Sequence, residues 1–474
     1  MIIKNKIMKK YIIIFLAVAT LGCGDKLEEF VPQDNVSDLI AFSDGTTALG
    51  TLAGVYSAAQ DGDVFGGTMA MTQEFMADNV EFSGSFPTFQ EVRDYVTIST
   101  NGSLASIYRD HYRLILTANN VIAFVPDVPD PTFTSTLRAQ YVAEAKFLRA
   151  ITYFSLVNLF AQPFNVNNGA ELGVPIVTAP FTGEVLLSAR NTVAEVHQQI
   201  INDLNAALPD LPSSHVAADG GRGRATQGAV RALLSRIHLY RGEWQQAADL
   251  AQLVIGDTQY ALATDYSFFG QDVPEHVWTI KNSAIDQGSY ATWFNGSDVS
   301  ARGDAPFSPF LLAASAANDR RVTDLSRIGV DAENRNSLFT TKYPDAVNNS
   351  DDSPVIRTTE IYLNRAEALA ELNGVNAESL QIINTLRTRA GLPSFVTGDF
   401  ASSAAFMNTI LDERRKELAF EGHRRNDLLR KGRNLRPIGD TNFAAAAFGQ
   451  NLTIFPIPQR EMDLNTNLVQ NSGY

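Results

Sequence analysis

Two short runs of aromatic residues offer the clearest chance of chemistry in this chain. Phe82, Phe86 and Phe89 crowd into a stretch punctuated by Gly84, Ser85 and Pro87, and Tyr290, Trp293 and Phe294 follow Gly288. Gly, Ser and Pro are turn formers, and rings in a loop have less core to fill than rings on a helix. A flat ring can cover the apolar C–H face of a sugar at little entropic cost, while neighbouring Asp, Asn and Arg meet the hydroxyls. The competing use of the same six rings is a hydrophobic core. Glu74 and Asp78, beside Asn79, are spaced i, i+4, which on a helix puts both carboxylates on one face. They could bind sugar hydroxyls or act as the acid pair of a glycosidase; a solvated helix face is the commoner outcome. Asp345, Asn348, Asn349, Asp351 and Asp352 gather oxygens that suit calcium. Their spacing departs from the EF-hand, and Asn and Asp are ordinary turn residues, so a solvated loop is the better reading. A structural calcium there is the one cofactor the sequence suggests; otherwise none is expected.

What the chain lacks narrows the classes. Its six His (His111, His197, His215, His238, His276, His423) fall in no HExxH pattern, and there is no P-loop, no GxGxxG opening a helix and no GxSxG elbow. Cys23 is the one cysteine, so neither an internal disulfide nor a multi-Cys zinc site can form. At 474 residues, 45% hydrophobic and 19% charged, the chain is long enough to bury a large core. Its formal charge is −14, and loss of a leader carrying four lysines and no acids takes it to −18. Such a surface repels nucleic acid and polyanionic glycans. Residues 1–22 have a basic start and an apolar run from Tyr11 to Ala19, the dimensions of a secretory leader and too short for a membrane span. Thr20-Leu21-Gly22-Cys23 resembles a bacterial lipobox, with Cys23 as the lipid anchor and residues 23–36 as an acidic tether.

The elements that must position these residues are mainly helical. Helices are expected over 41–59, from 104 to before Pro126, over 137–160, 190–208, 226–240 and 245–255. The last pair turns at Arg241-Gly242-Glu243-Trp244 and resembles a tetratricopeptide (TPR) unit, with Ala247-Ala248 where helices touch. Tyr240 and Trp244 read as packing. A second helical block covers 357–432: one helix with an apolar stripe of Tyr362, Ala366 and Leu369, a second through Leu380, Ile383, Leu386 and Ala390, and a third carrying Glu413, Glu417 and Glu421 among Arg414, Arg415 and Lys416. The charges of that third helix are expected to pair i, i+4 on its surface. The latter half of 70–100 is loop-like, and over 260–354 the helical period fades. They read as irregular segments, the second far longer than an ordinary loop and therefore functional in character. Trp278, between Val277 and Ile280, reads as core, and Arg302-Gly303-Asp304 as a chance tripeptide.

Several of these stretches are specific as wording. EAKFLRAITYFSLVNLF (144–160), TTEIYLNRAEAL (358–369), INTLRTRAGLP (383–393), DERRKELAFEGHRRNDLLR (412–430) and the ending IFPIP…LVQNSGY together resemble the SusD/RagB family of surface lipoproteins, with Ser472 where Pro is more usual. The resemblance covers nearly all of the chain beyond the leader. It implies a mainly α fold, a TPR-like α–α superhelix with irregular loop-rich insertions and little β structure, as a single domain over 37–474. It further implies capture of oligo- or polysaccharide without hydrolysis, transfer to a TonB-dependent, SusC-like transporter, and an outer-membrane location through the Cys23 lipid. The ligand expected from charge and aromatics is a neutral glycan, a β-glucan such as laminarin or a fructan, bound by Trp293, Tyr290, Phe294, Phe82, Phe86, Phe89, Asp78 and Asn79. Peptide capture, as in some relatives, and a secreted hydrolase are the alternatives.

Overall fold

The computed structural model describes residues 38–183 and 186–474; the leader, Cys23 and the tether lie outside them. Helices dominate: α1 (Gly45–Gln60), α2 (Thr68–Met76), α3 (Pro87–Arg93), α4 (Gly102–Phe124), α5 (Ser135–Phe160), α6 (Val193–Ala207), α7 (Gln227–Arg241), α8 (Trp244–Ile255), α9 (Tyr290–Phe294), α10 (Thr358–Asn373), α11 (Ala377–Arg389), α12 (Ser403–Glu417) and α13 (Arg424–Arg430). Their starts follow from local chemistry. Asp44 and Thr192 close capping boxes with Thr47 and Glu195, and Asn101, Thr134 and Thr226 accept from the third backbone N–H of their helices. Gly242 takes a left-handed φ of 73° to turn α7 into α8.

Neighbouring helices pack in pairs, α4 on α5, α5 on α6, α7 on α8 and α10 on α11. The stack runs on across the long insertion, because α8 lies directly against α10 although about a hundred residues separate them in sequence. This is the TPR-like superhelix expected, with the turn between α7 and α8 built as predicted: Ala247 and Ala248 are fully buried and the Ser235 hydroxyl donates to the Ala247 carbonyl at 2.9 Å. Strand structure among the described residues is confined to two antiparallel pairs. β1 (His276–Ile280) lies against β4 (Ser353–Arg357), and β2 (Ser326–Val330) forms a hairpin with β3 (Asn336–Thr340). Trp278 is fully buried, with its indole N–H on the Gly223 carbonyl at 3.1 Å.

Two expectations are corrected here. Residues 70–100 are not irregular throughout: α2 and α3 occupy much of the stretch, and all nine residues of α2 are buried. The charges on the third C-terminal helix do not pair along its surface either. Glu413, Arg414, Arg415 and Glu417 are buried, as is the side chain of Glu421, and most of their partners come from remote segments. Glu413 receives Arg321 and Arg387 at 2.5 and 2.7 Å, and Glu417 receives Arg389 at 2.8 Å. Glu421, just past the helix end, is held by Arg357 at 2.7 and 2.9 Å and by Lys342 at 2.5 Å. Arg357 also reaches Glu275 at 3.0 Å. On α10, Glu360 pairs with Arg236 and Glu367 with Arg430, while Asn364 accepts from Arg414 at 2.7 Å. That helix buries its polar face as well as its apolar one.

Removing one partner of such a pair strands the other as an unpaired buried charge. Arg357→Ala is therefore expected to lower unfolding free energy by about 3–5 kcal/mol in denaturant titration. Arg320→Ala, which breaks an exposed i, i+4 pair with Asp324, should cost at most about 1 kcal/mol.

Candidate functional site

The two aromatic runs do meet, though only part of them reaches the surface. Residues 80–83 run antiparallel to 304–307, with Glu81 N–H on the Pro306 carbonyl and Ser83 N–H on that of Asp304, both at 3.0 Å. This buries Phe82, which packs on Phe75 at 4.6 Å. Phe86 precedes α3 and stands 43% exposed. Phe89, one turn on, points inward and is buried between Phe75 and Trp293, meeting the indole edge-on at 5.3 Å.

Helix α9 divides its rings in the same way. Tyr290 and Phe294, four residues apart, share the inward face and pack on Tyr343 at 4.5 and 5.9 Å; Phe294 also meets Phe420 at 5.7 Å. Trp293 lies off that face and is half-buried. The Arg302 guanidinium sits over both outer rings, 4.9 Å from the centre of Phe86 and 4.8 Å from that of Trp293. Its charge is matched by Asp304, which accepts from Nε at 2.5 Å. The result is a small platform, ring–guanidinium–ring, with Phe89 as its floor. Sequence reasoning missed Arg302, having set its tripeptide aside; its one visible signal was closeness in sequence to the second aromatic run.

The remaining expected ligand contacts are corrected by burial. Phe82, Phe89, Tyr290 and Phe294 are core residues, because each has a buried aromatic partner. Asp78 is clamped by Arg424 at 2.6 and 3.0 Å and by Arg415 at 3.1 Å, and Asn79 accepts from Arg415 at 2.8 Å. Those charges hold the Asp78 carboxyl below its ordinary value despite burial. Asp78 also lies past the end of α2, so the i, i+4 face shared with Glu74 does not form. Glu74 is fully buried, takes the Gly422 N–H at 3.0 Å, and burial pushes its pKa up to about 7.

Around the Asn/Asp-rich loop the oxygens serve the chain's own donors. Asp345 accepts from Asn348 N–H at 3.0 Å and from the Ser350 hydroxyl, Asp351 from Asp345 N–H at 2.6 Å, and Asp352 from Lys281 at 2.6 Å. Among the described residues, the carboxylates that do approach one another closely are Asp61, Asp63 and Asp110, the last already paired with Arg109 at 2.6 Å. Burial holds His111, His276 and His423 down at about 4 and His197 at about 3, so these imidazoles are neutral. A groove of about 340 Å³ begins on the segment that leads to the platform, with Glu81, Arg93, Asp94 and Asn442 on its walls. A larger cavity, about 480 Å³, lies elsewhere, between α1 and the end of β1. Its Tyr56 and Arg224 are spent on Glu144 and its Gln60 on Asn282, leaving a mostly apolar cleft.

The scaffold is helical and TPR-like, with the ring–guanidinium–ring cluster on its irregular face. A family model described as "SusD family" matches residues 332–474, and one described as "Starch-binding associating with outer membrane" matches residues 42–239. The chain belongs to the SusD/RagB family. It is 24% identical to SusD-like protein P25 of Formosa agariphila, over 99% of this chain and all of that one. Its fold matches a SusD superfamily protein from Bacteroides fragilis with a TM-score of 0.80 at 22% identity, covering 90% of this chain and 99% of that one. It also matches a laminarin-binding SusD-like protein with a TM-score of 0.76 at 24% identity, covering 91% and 100%.

Two substitutions separate core from surface. Phe294→Ala should cost about 3–5 kcal/mol of stability, whereas Phe86→Ala should stay within about 0.5 kcal/mol, both read by denaturant melts. A third tests the buried acid. With a folded pKa near 7 against an ordinary 4.5, Glu74 favours the folded state fully below about pH 4.5, and that contribution is lost as pH rises to about 7. Glu74→Gln, neutral throughout, should melt like the parent at pH 4 and gain on the order of 3 kcal/mol over it at pH 8.

Proposed function

We propose that this protein is a cell-surface glycan-binding lipoprotein. It captures oligo- or polysaccharide on the Phe86–Arg302–Trp293 platform, performs no hydrolysis, and delivers its ligand to a partner TonB-dependent, SusC-like transporter in the outer membrane. The observation that carries this reading is the exposed Phe86 ring and the half-buried Trp293 ring flanking a charge-matched guanidinium. The rings offer apolar faces to a pyranose or furanose, and the unused N–H groups of Arg302 can donate to its hydroxyls. Anchoring through the Cys23 lipid and the outer-membrane location rest on the lipobox-like leader and on the family to which the chain belongs.

A neutral ligand is favoured on two grounds. The chain without its leader carries −18, and the one cation on the platform is already compensated by Asp304. A β-glucan of the laminarin type is the first choice, supported by the laminarin-binding protein of like fold, and a fructan is the second. The hydrolase alternative loses its acid pair, since Asp78 is committed to two arginines and Glu74 is sealed in the core. Trp293→Ala should weaken retardation in a laminarin-containing native gel at least tenfold, about 1.4 kcal/mol, with the native fold retained by far-UV circular dichroism. Equal retardation of mutant and parent would remove the platform from this role. Calorimetric binding of peptides with no response to a glycan panel would move the assignment to peptide capture.

A further inference from the structure

Trp293 is carried by a helix that cannot hold itself. Five residues make one turn, and nucleating a turn costs more than its few hydrogen bonds return. The residue before it, Ser289, gives no side-chain cap; its hydroxyl donates instead to the Gly66 carbonyl at 2.9 Å. The missing cap comes from the Asn/Asp-rich loop. Asn349 Oδ1 accepts both the Thr292 N–H at 3.0 Å and the Thr292 hydroxyl at 2.7 Å, across 57 residues of sequence. Asn349 itself sits at φ 50°, a left-handed conformation that Asn, Asp and Gly tolerate. Its backbone is pinned on both sides, donating to the Asp345 carbonyl at 2.8 Å and accepting from Gly288 N–H at 3.0 Å. The loop is fastened in turn to the end of β1 by Asp352, which takes Lys281 Nζ at 2.6 Å and Asn282 N–H at 3.1 Å.

Thr292 is thereby a junction. Its N–H and hydroxyl go to Asn349, while its carbonyl accepts the Arg302 N–H at 3.0 Å. The chain Asn349–Thr292–Arg302 fixes the indole and the guanidinium in one register, 4.8 Å apart. We propose that Asn349 is a positioning residue for the ligand platform, and that the Asn/Asp-rich loop exists to present its side-chain oxygen to the turn that carries Trp293. This rests on the platform reading given above.

Two variants separate the side-chain oxygen from the backbone conformation. Asn349→Gly keeps the left-handed φ and removes the acceptor; Asn349→Asp keeps both. Each would be compared with the parent and with Trp293→Ala in laminarin-gel retardation, thermal melting and near-UV circular dichroism, where the difference between parent and Trp293→Ala isolates the Trp293 band. Asn349→Gly is expected to lose at least fivefold in retardation and to lose much of the Trp293 band, with a melting temperature close to that of the parent. Asn349→Asp should restore both signals. Parent-like retardation and an intact Trp293 band in Asn349→Gly, with Trp293→Ala defective, would overturn the positioning role and leave the platform standing. If Trp293→Ala itself binds as the parent does, the platform reading fails, and the Trp293 band alone then decides whether Asn349 holds the indole. Equal losses in the Gly and Asp variants, with lowered melting temperatures, would also overturn the proposal, since only the fold would then need that residue.

Discussion

The structure depends on a set of charges that have been taken out of water and matched to one another. Arg357, Lys342 and Glu421 meet where the long insertion returns to the helical stack, and Arg321, Arg387 and Arg389 close on Glu413 and Glu417 beside them. On the other side of the C-terminal helices, Arg415 and Arg424 hold Asp78 from the end of α2. Arg425 reaches the carbonyls of Asn158 and Thr453 at 2.7 and 2.6 Å. Hydrophobic packing would tolerate many relative placements of these segments. A guanidinium fork facing a carboxylate tolerates few, and a misplacement leaves a bare charge in low dielectric. The network therefore specifies where the insertion and the N-terminal helices sit on the stack, a role that apolar packing of similar volume does not fill.

That constraint also explains what the sequence disclosed and what it concealed. Helix positions were readable because capping residues and apolar stripes act locally: Thr192 starts α6 and Gly242 ends α7 for reasons contained in a few neighbouring residues. The charged stretch around Glu413–Glu421 misled for the opposite reason. A run of Glu and Arg at helical spacing looks the same whether its partners lie on the next turn or on a segment ninety residues away, and solvation is by far the commoner fate of such residues. Only the tertiary partners Arg321, Arg357 and Arg389 turn it into a core.

The site was half legible. Both aromatic runs were visible and they do converge, but which ring faces out depends on details finer than clustering. Phe86 escapes because it precedes α3 instead of lying on it, and Phe89 is captured because it is one turn further on. In the second run the helical period sorts the rings: Tyr290 and Phe294 share a face and take the core, which leaves Trp293 half-buried at its edge. Arg302 carried no periodic signal, and its tripeptide reads as chance. Its role exists only because the 302–304 segment runs beside residues 82–84, a pairing across more than two hundred residues that no local rule predicts.

The charge network and the platform are not independent. Tyr343, on which the inner face of α9 rests, follows Lys342, whose ammonium is fixed by Glu421 and by the carbonyls of Glu417 and Ala419 at 2.9 and 2.8 Å. The Tyr343 hydroxyl donates to the Phe420 carbonyl at 3.1 Å, one residue from that same Glu421. Trp293 is thus held from below by a tyrosine set in the buried charges and from the side by the Asn349 cap. In the proposed glycan-binding role, a platform fixed from two directions would lose little freedom when a ligand arrives, so more of the stacking energy would survive as affinity. It also confines adaptation to the outer residues. In that proposed role, Phe86, Trp293 and the walls of the neighbouring groove are free to change with the sugar while the clamps beneath them stay as they are. The same scaffold can then carry different specificities without being refolded around each one.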